Sequence, residues 1–517
     1  MKKLSSFLLQ CFYWLASLSF VYVFIMAFFW NREKLLPLAV GFPLFFSLLL
    51  GFCFFLRKNS SFLTALLENK RLRRCVVAGL ILLYTLLVSF CSWQLMRDTT
   101  LEPWDIWVIR SSSAFVAEHP FSPTVQDIGY FQHYENNQFI LVLLSLWFML
   151  CRFLFGNQDY EFFANALNVI AISSSLIFTY LAAKNFFGLK SAFSTLVAWF
   201  FCLPFYAYAA TYYTDTLALP FITLSAWLLS IFYKTRRLIF LVPAGLVMGL
   251  GCKMKGTLLV YTVAVLIWLF FLGELSLAKR ITALALVVGF LFTATQGFSL
   301  FYEKSGLYGE HPTDKGGMAV PFTHWLMMGQ NPDGPYVQSD VDFTMGIAGG
   351  YQERRRVCWD IFRGRVLSKG PVIFLIFTNR KVVETWGDGS YYSFFNLGYS
   401  EGYHPDSFLR RLIDRHDPVS KPFFLFCDIF HFSMLAALVG TLLQRLSEKK
   451  WVADGLFLFQ LSLFGMFLFE LFWEWRSRYL FVYIPLLLCI LPLGISAWSQ
   501  VLCRLYRAAK AKIGGKA

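Results

Sequence analysis

Apolar runs of about twenty residues recur along this chain from residue 5 to residue 498, and no other feature narrows its fold as much. A hydrocarbon core about 30 Å thick asks for roughly 17 to 25 such residues in a spanning helix. With 57% hydrophobic and 15% charged residues and a mean hydropathy of +0.56, the 517 residues carry more apolar surface than one soluble core can bury. Lipid must therefore be their solvent. The runs do not alternate apolar and polar residues as barrel strands do, so the expected fold is an all-α polytopic membrane protein with about twelve transmembrane helices.

The net charge of +15 does not point to nucleic acid, because Lys and Arg fall mostly in short clusters between apolar runs. Such clusters carry topology. The segment 57–74 sets Arg57, Lys58, Lys70, Arg71, Arg73 and Arg74 against Glu68 alone, which assigns it to the cytoplasm. Helices over about 5–29 and 35–56 precede it and one over 75–96 leaves it, so residues 97–137 form a first external loop. Residues 5–29 read as a retained helix, not a cleaved signal, since the run is long and lacks a small-residue exit. From the other end, the basic tail 503–512 and the loops 444–450, 277–280 and 233–237 are cytoplasmic, which leaves the polar stretch 302–420 outside. Both termini then face the cytoplasm. The two assignments agree only if the runs 138–155 and 160–182 make a single crossing, so 138–155 is expected to be an interfacial or re-entrant helix beside a wet cavity. The chain divides into residues 1–301, a long external segment 302–420 with short helices, and C-terminal helices with a basic tail over 421–517.

Nearly all polar chemistry falls in the two external regions. Glu102 and Asp105 flank Pro103 and Trp104 at a membrane exit, where either acid could take a proton from an attacking hydroxyl. A solvated loop anchored by Trp104 and Trp107 explains the same string. Asp215, behind Tyr213 in the string YYTDTL, is an acid between two apolar runs; it faces a cavity or partner, or else caps a helix. Lys255 in GCKMKG could hold a lipid phosphate or snorkel to the interface. Arg478 in WEWRSRY has the guanidinium fork that suits phosphate, and an ion pair with Glu474 is the plainer account. In the long loop, His324 has no second metal ligand at a regular spacing, so no metal site is assigned. Trp386 beside Asp388 offers an aromatic face and a carboxylate to a sugar, although GDG is also a common turn, and Lys381 precedes both. The eleven cysteines show neither a disulfide framework nor zinc-ligand spacing.

Taken in order on this topology, the strings resemble the GT-C superfamily of membrane glycosyltransferases, and within it the bacterial family-39-like proteins that use polyprenyl-phosphate sugars. The strings are Asp105 in the first external loop, YFQHYENNQ with Asn136 and Asn137, the KNFFG turn, YTDTL, PFTHWLMMG with DGPY, KVVETWGDGS and WEWRSRY. The resemblance implies a bundle of about a dozen helices with juxtamembrane helices in the first loop. It implies an inverting transferase that moves a sugar from a polyprenyl-phosphate donor to an extracytoplasmic acceptor (cell-wall polymer, glycolipid or protein) at the plasma membrane of a bacterium. It makes Asp105 the base, with Glu102 as the competing acid, and Asp215 a second acid shaping the site with Tyr213, Asn136, Asn137, His324, Trp386 and Asp388. Lys255, Arg478 and Lys381 are then ligands of the donor phosphate. The resemblance fixes no cofactor, and a divalent metal is left open. Two departures stand out: Glu135 occupies a position where Pro is frequent, and the first-loop acids are spaced Glu-x-x-Asp instead of adjacent. A flippase or other transporter of lipid-linked sugars, and a polysaccharide polymerase or ligase, are the rival classes. A transporter commonly shows paired halves and mid-membrane charge, whereas here the acids gather at one face.

Overall fold

The computed structural model describes residues 2–30, 35–58, 68–96, 105–156, 158–309, 318–397 and 404–514, and all regular structure among them is helical. Among the described residues ten helices are long and apolar enough to cross a membrane, with an eleventh if one bent pair is counted as a span. In chain order the helices that matter here are α1 (Lys2–Phe29), α2 (Leu35–Lys58), α3 (Lys70–Leu95), α4 (Asp105–Glu118), α5 (Gln138–Phe155), α6 (Tyr160–Phe187), α7 (Leu189–Phe200), α8 (Pro204–Ala210) and α9 (Thr214–Thr235). They continue with α10 (Leu241–Met254), α11 (Leu258–Phe271), α12 (Leu277–Lys304), α13 (Phe322–Met328), α14 (Gln338–Gly346), α15 (Gly350–Trp386), α16 (Lys421–Glu448), α17 (Gly455–Phe472) and α18 (Ile484–Gly514).

Side-chain contacts sort the helix ends into two sets. At one end, Ser92 of α3 meets Asn165 of α6, Tyr212 ahead of α9 donates to Glu161 in the first turn of α6, and Tyr483 ahead of α18 donates to the carbonyl of Thr257 between α10 and α11. At the other, Tyr13 of α1 donates to the carbonyl of Val452, Arg445 pairs with Asp454, Arg236 pairs with Glu274, and Phe186 packs on Tyr233. Twelve helical passes run between these ends among the described residues: α1, α2, α3, α6, the α7–α8 pair, α9, α10, α11, α12, α16, α17 and α18. Both ends of the described chain accordingly lie at the end opposite Asp105.

Helix α5 is the exception among the long apolar helices. Its first turn adjoins Asn137, which bonds Tyr130 beside Asp105. Its last turns touch the first turn of α6, where Phe148 packs on Tyr160 and the Trp147 indole donates to the carbonyl of Phe163. Both of its ends therefore sit at the Asp105 end, and Arg152 donates to the carbonyl of Ala117 to tie it alongside α4. The parity argument expected an interfacial or re-entrant helix over 138–155; α5 is long and apolar enough to cross a membrane, and its contacts keep both of its ends at the Asp105 end of the bundle. The local cause is legible: Gly156, at φ 64°, takes the left-handed conformation that ends α5, and the Asp159 side chain caps α6 by accepting from the Phe162 amide.

Two crossings are unusually short. Helices α10 and α11 have fourteen residues each, a rise of about 21 Å against a core of about 30 Å. The turn between them, which carries Lys255, is thereby sunk into the bundle. Close packing secures it: a Cβ on Gly249 of α10 would come within 2.6 Å of the Leu291 carbonyl oxygen in α12, the small-residue contact that lets membrane helices approach. The segment after α12 carries short helices, α13 and α14 among them, and one long one. The long one is α15, 37 residues broken at Gly370, whose φ of 60° and ψ of 173° precede Pro371.

Candidate functional site

Asp105 opens α4, at the helix end where the macrodipole favours negative charge. Its Oδ1 accepts from the Tyr130 hydroxyl at 2.7 Å and its Oδ2 from the Tyr213 hydroxyl at 2.9 Å. Asn137 Nδ2 donates to the Tyr130 oxygen at 2.6 Å, and Asn136 Nδ2 donates to Asn137 Oδ1 at 3.1 Å. The YFQHYENNQ string thus acts through Tyr130, with Asn136 and Asn137 behind it. Tyr130 sits in a short helix, Ile128–His133, and Asn137 in a 3-10 turn, Glu135–Asn137, with the chain broken at Tyr134 between them (φ −111°, ψ 69°), so no single helical period marks the pair in the sequence.

Tyr213 joins this carboxylate to a second one. Two residues on, Asp215 is fully buried; its Oδ1 pairs with Lys255 and its Oδ2 has no hydrogen-bond partner among the described residues. The Arg478 guanidinium lies 6.0 Å from the Tyr213 ring centre and 5.6 Å from that of Tyr479, and the Lys255 ammonium is 5.4 Å from the Tyr479 ring. Tyr479 donates to Glu474 at 2.6 Å, and Glu474 pairs with Arg476 at 2.9 Å. Lys255 offsets Asp215 and Arg476 offsets Glu474. Asp105 and Arg478 remain as opposite charges with no ion-pair partner within 4.0 Å among the described residues.

A buried network unnoticed in the sequence positions Tyr213 from behind. Glu161 accepts from Tyr212 at 2.6 Å and from Asn165 at 3.0 Å, with Arg110 of α4 at 3.8 Å. An acid in the first turn of an apolar run is the signal that could have found it.

The other expected site residues are elsewhere or otherwise engaged. Glu102 lies outside the described residues. Trp386 is not presented to a sugar: it is 1% exposed, its ring packs on Phe20 of α1, and its carbonyl contacts His431 Nε2 at 2.9 Å. Lys381 is a structural clamp, not a free cation. Its ammonium donates to the carbonyls of Gly329, Leu471 and Trp473 at 2.8, 3.0 and 2.7 Å, tying the long segment to the end of α17. Asp388 organises the turn behind the site, accepting from the Ser390 and Tyr392 amides and from the Ser477 hydroxyl at 2.6 Å, one residue from Arg478. His324 is buried in α13 with Nδ1 on Thr344 at 2.8 Å and Nε2 unpartnered among the described residues. No group of three His, Cys, Asp or Glu side chains placed to hold a metal occurs among the described residues.

Burial lowers the His324 pKa from 6.5 to about 4. The unfolded chain therefore takes up this proton first as pH falls, and stability is lost between about pH 6.5 and pH 4. Relative to His324→Gln, the wild-type protein is expected to lose about 2 kcal/mol on going from pH 7.5 to pH 5, read as a larger drop in Tm. Equal drops in the two proteins would rule out the buried neutral imidazole.

A family model matches residues 40–498. The chain belongs to the family of conserved hypothetical integral membrane proteins. Among curated proteins none matches this integral membrane protein in sequence. Among solved structures it is similar to the Archaeoglobus fulgidus oligosaccharyltransferase tethered with an acceptor peptide, at a TM-score of 0.40 and 13% identity over 85% of this chain and 51% of that one. A second structure from that organism, AglB with an inhibitory peptide and a dolichol-phosphate, gives 0.39 and 14% over 86% and 52%. ArnT from Cupriavidus metallidurans bound to undecaprenyl phosphate gives 0.32 and 14% over 81% and 77%. The chain spans about half the length of the archaeal proteins.

Proposed function

We propose that this protein is an inverting glycosyltransferase that moves a sugar from a polyprenyl-phosphate donor to a hydroxyl of an extracytoplasmic acceptor. The observation that carries the reading is the double engagement of one short segment: Tyr213 bonds Asp105, and Asp215, two residues on, pairs with Lys255, with Arg478 against the Tyr213 ring. A proton acceptor and cations suited to a phosphate thus share one end of the bundle. The charge clusters at the opposite end favour a cytoplasmic location for both termini, which supports a site on the outer face of a bacterial plasma membrane.

In this mechanism the acceptor oxygen attacks C1 of the sugar as its proton passes to an Asp105 oxygen. The C1–O bond to the phosphate breaks, and the electron pair leaves with the polyprenyl phosphate. Tyr130 and Tyr213 fix the carboxylate's orientation. Arg478 and Lys255 meet the charge gathering on the leaving phosphate, where fixed charges in a low-dielectric setting act more strongly than in water. Asp215 holds Lys255 in place and Asp388, through Ser477, steadies the Arg478 segment. The test is incubation of the purified protein with a radiolabelled polyprenyl-phosphate sugar and an envelope extract. Label moving covalently to an acceptor supports the reading; a donor that only changes leaflet would replace it with a transporter.

A further inference from the structure

Two consecutive tyrosines at this corner hold backbone conformations that bulky residues rarely adopt. Tyr391 has φ 53° and Tyr392 φ 66°, in the left-handed region where glycine sits without penalty. The surroundings enforce it. Asp388 Oδ2 accepts from the Tyr392 amide at 3.0 Å, Tyr208 donates to the Tyr391 carbonyl at 2.7 Å, and the Tyr391 hydroxyl meets His431 Nδ1 at 2.6 Å. The Tyr391 ring is thus consumed by the core, where it is fully buried. The Tyr392 ring is only partly buried: it packs on Phe394 at 5.1 Å and 59° and on Phe395 at 4.8 Å and 26°, and lies 5.2 Å from the Arg476 guanidinium. Strain that persists because neighbours over-determine it is a mark of functional positions.

Arg476 is the centre of this arrangement. Three ring centres surround its guanidinium, those of Tyr336 at 5.6 Å, Tyr392 at 5.2 Å and Phe395 at 5.7 Å. Glu474 pairs with it from below, and Tyr336 is 42% exposed with its hydroxyl on Gln338. Two residues along the chain, Arg478 sits against Tyr213, whose hydroxyl is on Asp105. Flat aromatic faces next to a charged donor–acceptor pair match a sugar ring: its C–H face covers an aromatic ring while adjacent hydroxyls bond the guanidinium and carboxylate. A lipid chain would call for a continuous apolar surface, which the Arg476–Glu474 pair interrupts.

We propose that Tyr392 and Tyr336, set around Arg476, form a saccharide-binding platform at the mouth of the Asp105 site. The platform takes over the part that the sequence assigned to Trp386, and it rests on the transferase reading only for why a sugar is presented there. The test is saturation-transfer difference NMR on the full-length protein in lipid nanodiscs, with the methyl pyranosides of glucose, galactose, mannose and N-acetylglucosamine as probes at millimolar concentration. Wild-type protein is expected to saturate the ring protons of at least one of them. Tyr392→Gly, which relieves the left-handed strain and should leave Tm equal or higher, is expected to lower that signal about fivefold or more. Tyr336→Ala, at an exposed ring, should lower it as well and decides the matter if the glycine variant does not fold. Asp105→Asn should retain it. Saturation of none of the four by wild-type protein, or equal saturation by wild type and both tyrosine variants, would overturn the platform. Transfer without glycoside binding removes the platform and keeps the transferase; binding without transfer does the reverse.

Discussion

Asp105→Asn lowers sugar transfer by a factor of about 10²–10⁴, the usual contribution of a positioned general base, and leaves the fold intact. Asparagine preserves the shape, and a hydroxyl can accept as well as donate. Its Oδ1 can keep one of the two tyrosine bonds at 2.7 and 2.9 Å while its Nδ2 donates to the other tyrosine oxygen. What disappears is the ability to take a proton. Tyr213→Phe, which keeps the carboxylate and removes one of its anchors, should cost far less, about tenfold, because orientation suffers and basicity does not. The measurement is turnover of purified protein beside its Tm. Near-normal turnover by folded Asp105→Asn protein would remove Asp105 as the base and return attention to Glu102.

Lys255→Met destabilises the protein by about 3–5 kcal/mol, the cost of leaving one member of a buried ion pair alone. Asp215 is fully buried, its Oδ2 already lacks a hydrogen-bond partner among the described residues, and Lys255 occupies its Oδ1. Deleting the ammonium strands the whole carboxylate where water does not reach it. Asp215→Asn in the same background removes the charge and should recover most of the lost stability, since replacing both partners is often close to neutral. Activity should not follow stability back, because the phosphate then meets Arg478 alone. Thermal unfolding of the two single variants and the double variant checks this. A Lys255→Met protein that melts with the wild type would show that the pair does not hold the site together.

The resemblance to polyprenyl-phosphate transferases picked out Asp105, Asp215, Lys255 and Arg478, and the fold brings all four to one corner. It did not separate them from Trp386 and Lys381. All six are aromatic or charged residues near a membrane exit, and a string of letters does not say which way a side chain turns. Lys381 is spent on three carbonyls contributed by two distant segments, Gly329 and Leu471–Trp473. Trp386 turns inward to Phe20 while Tyr392, six residues on, is only partly buried and lies against Arg476.

Some properties are set by the order of residues alone. The all-helical, many-pass architecture follows from run length, because hydrocarbon imposes a length on every crossing and leaves no water for unpaired backbone groups, and charge parity raised the expectation that 138–155 is not a full crossing. Tertiary packing decided which polar groups meet. Asp105 and Tyr213 are 108 positions apart, and Asp215 and Lys255 are 40 apart. Their contact depends on short α10 and α11 sinking a turn into the bundle and on α4 docking across α6. Contacts at such separations depend on how whole helices pack, and hydrophobic pattern carries no term for that.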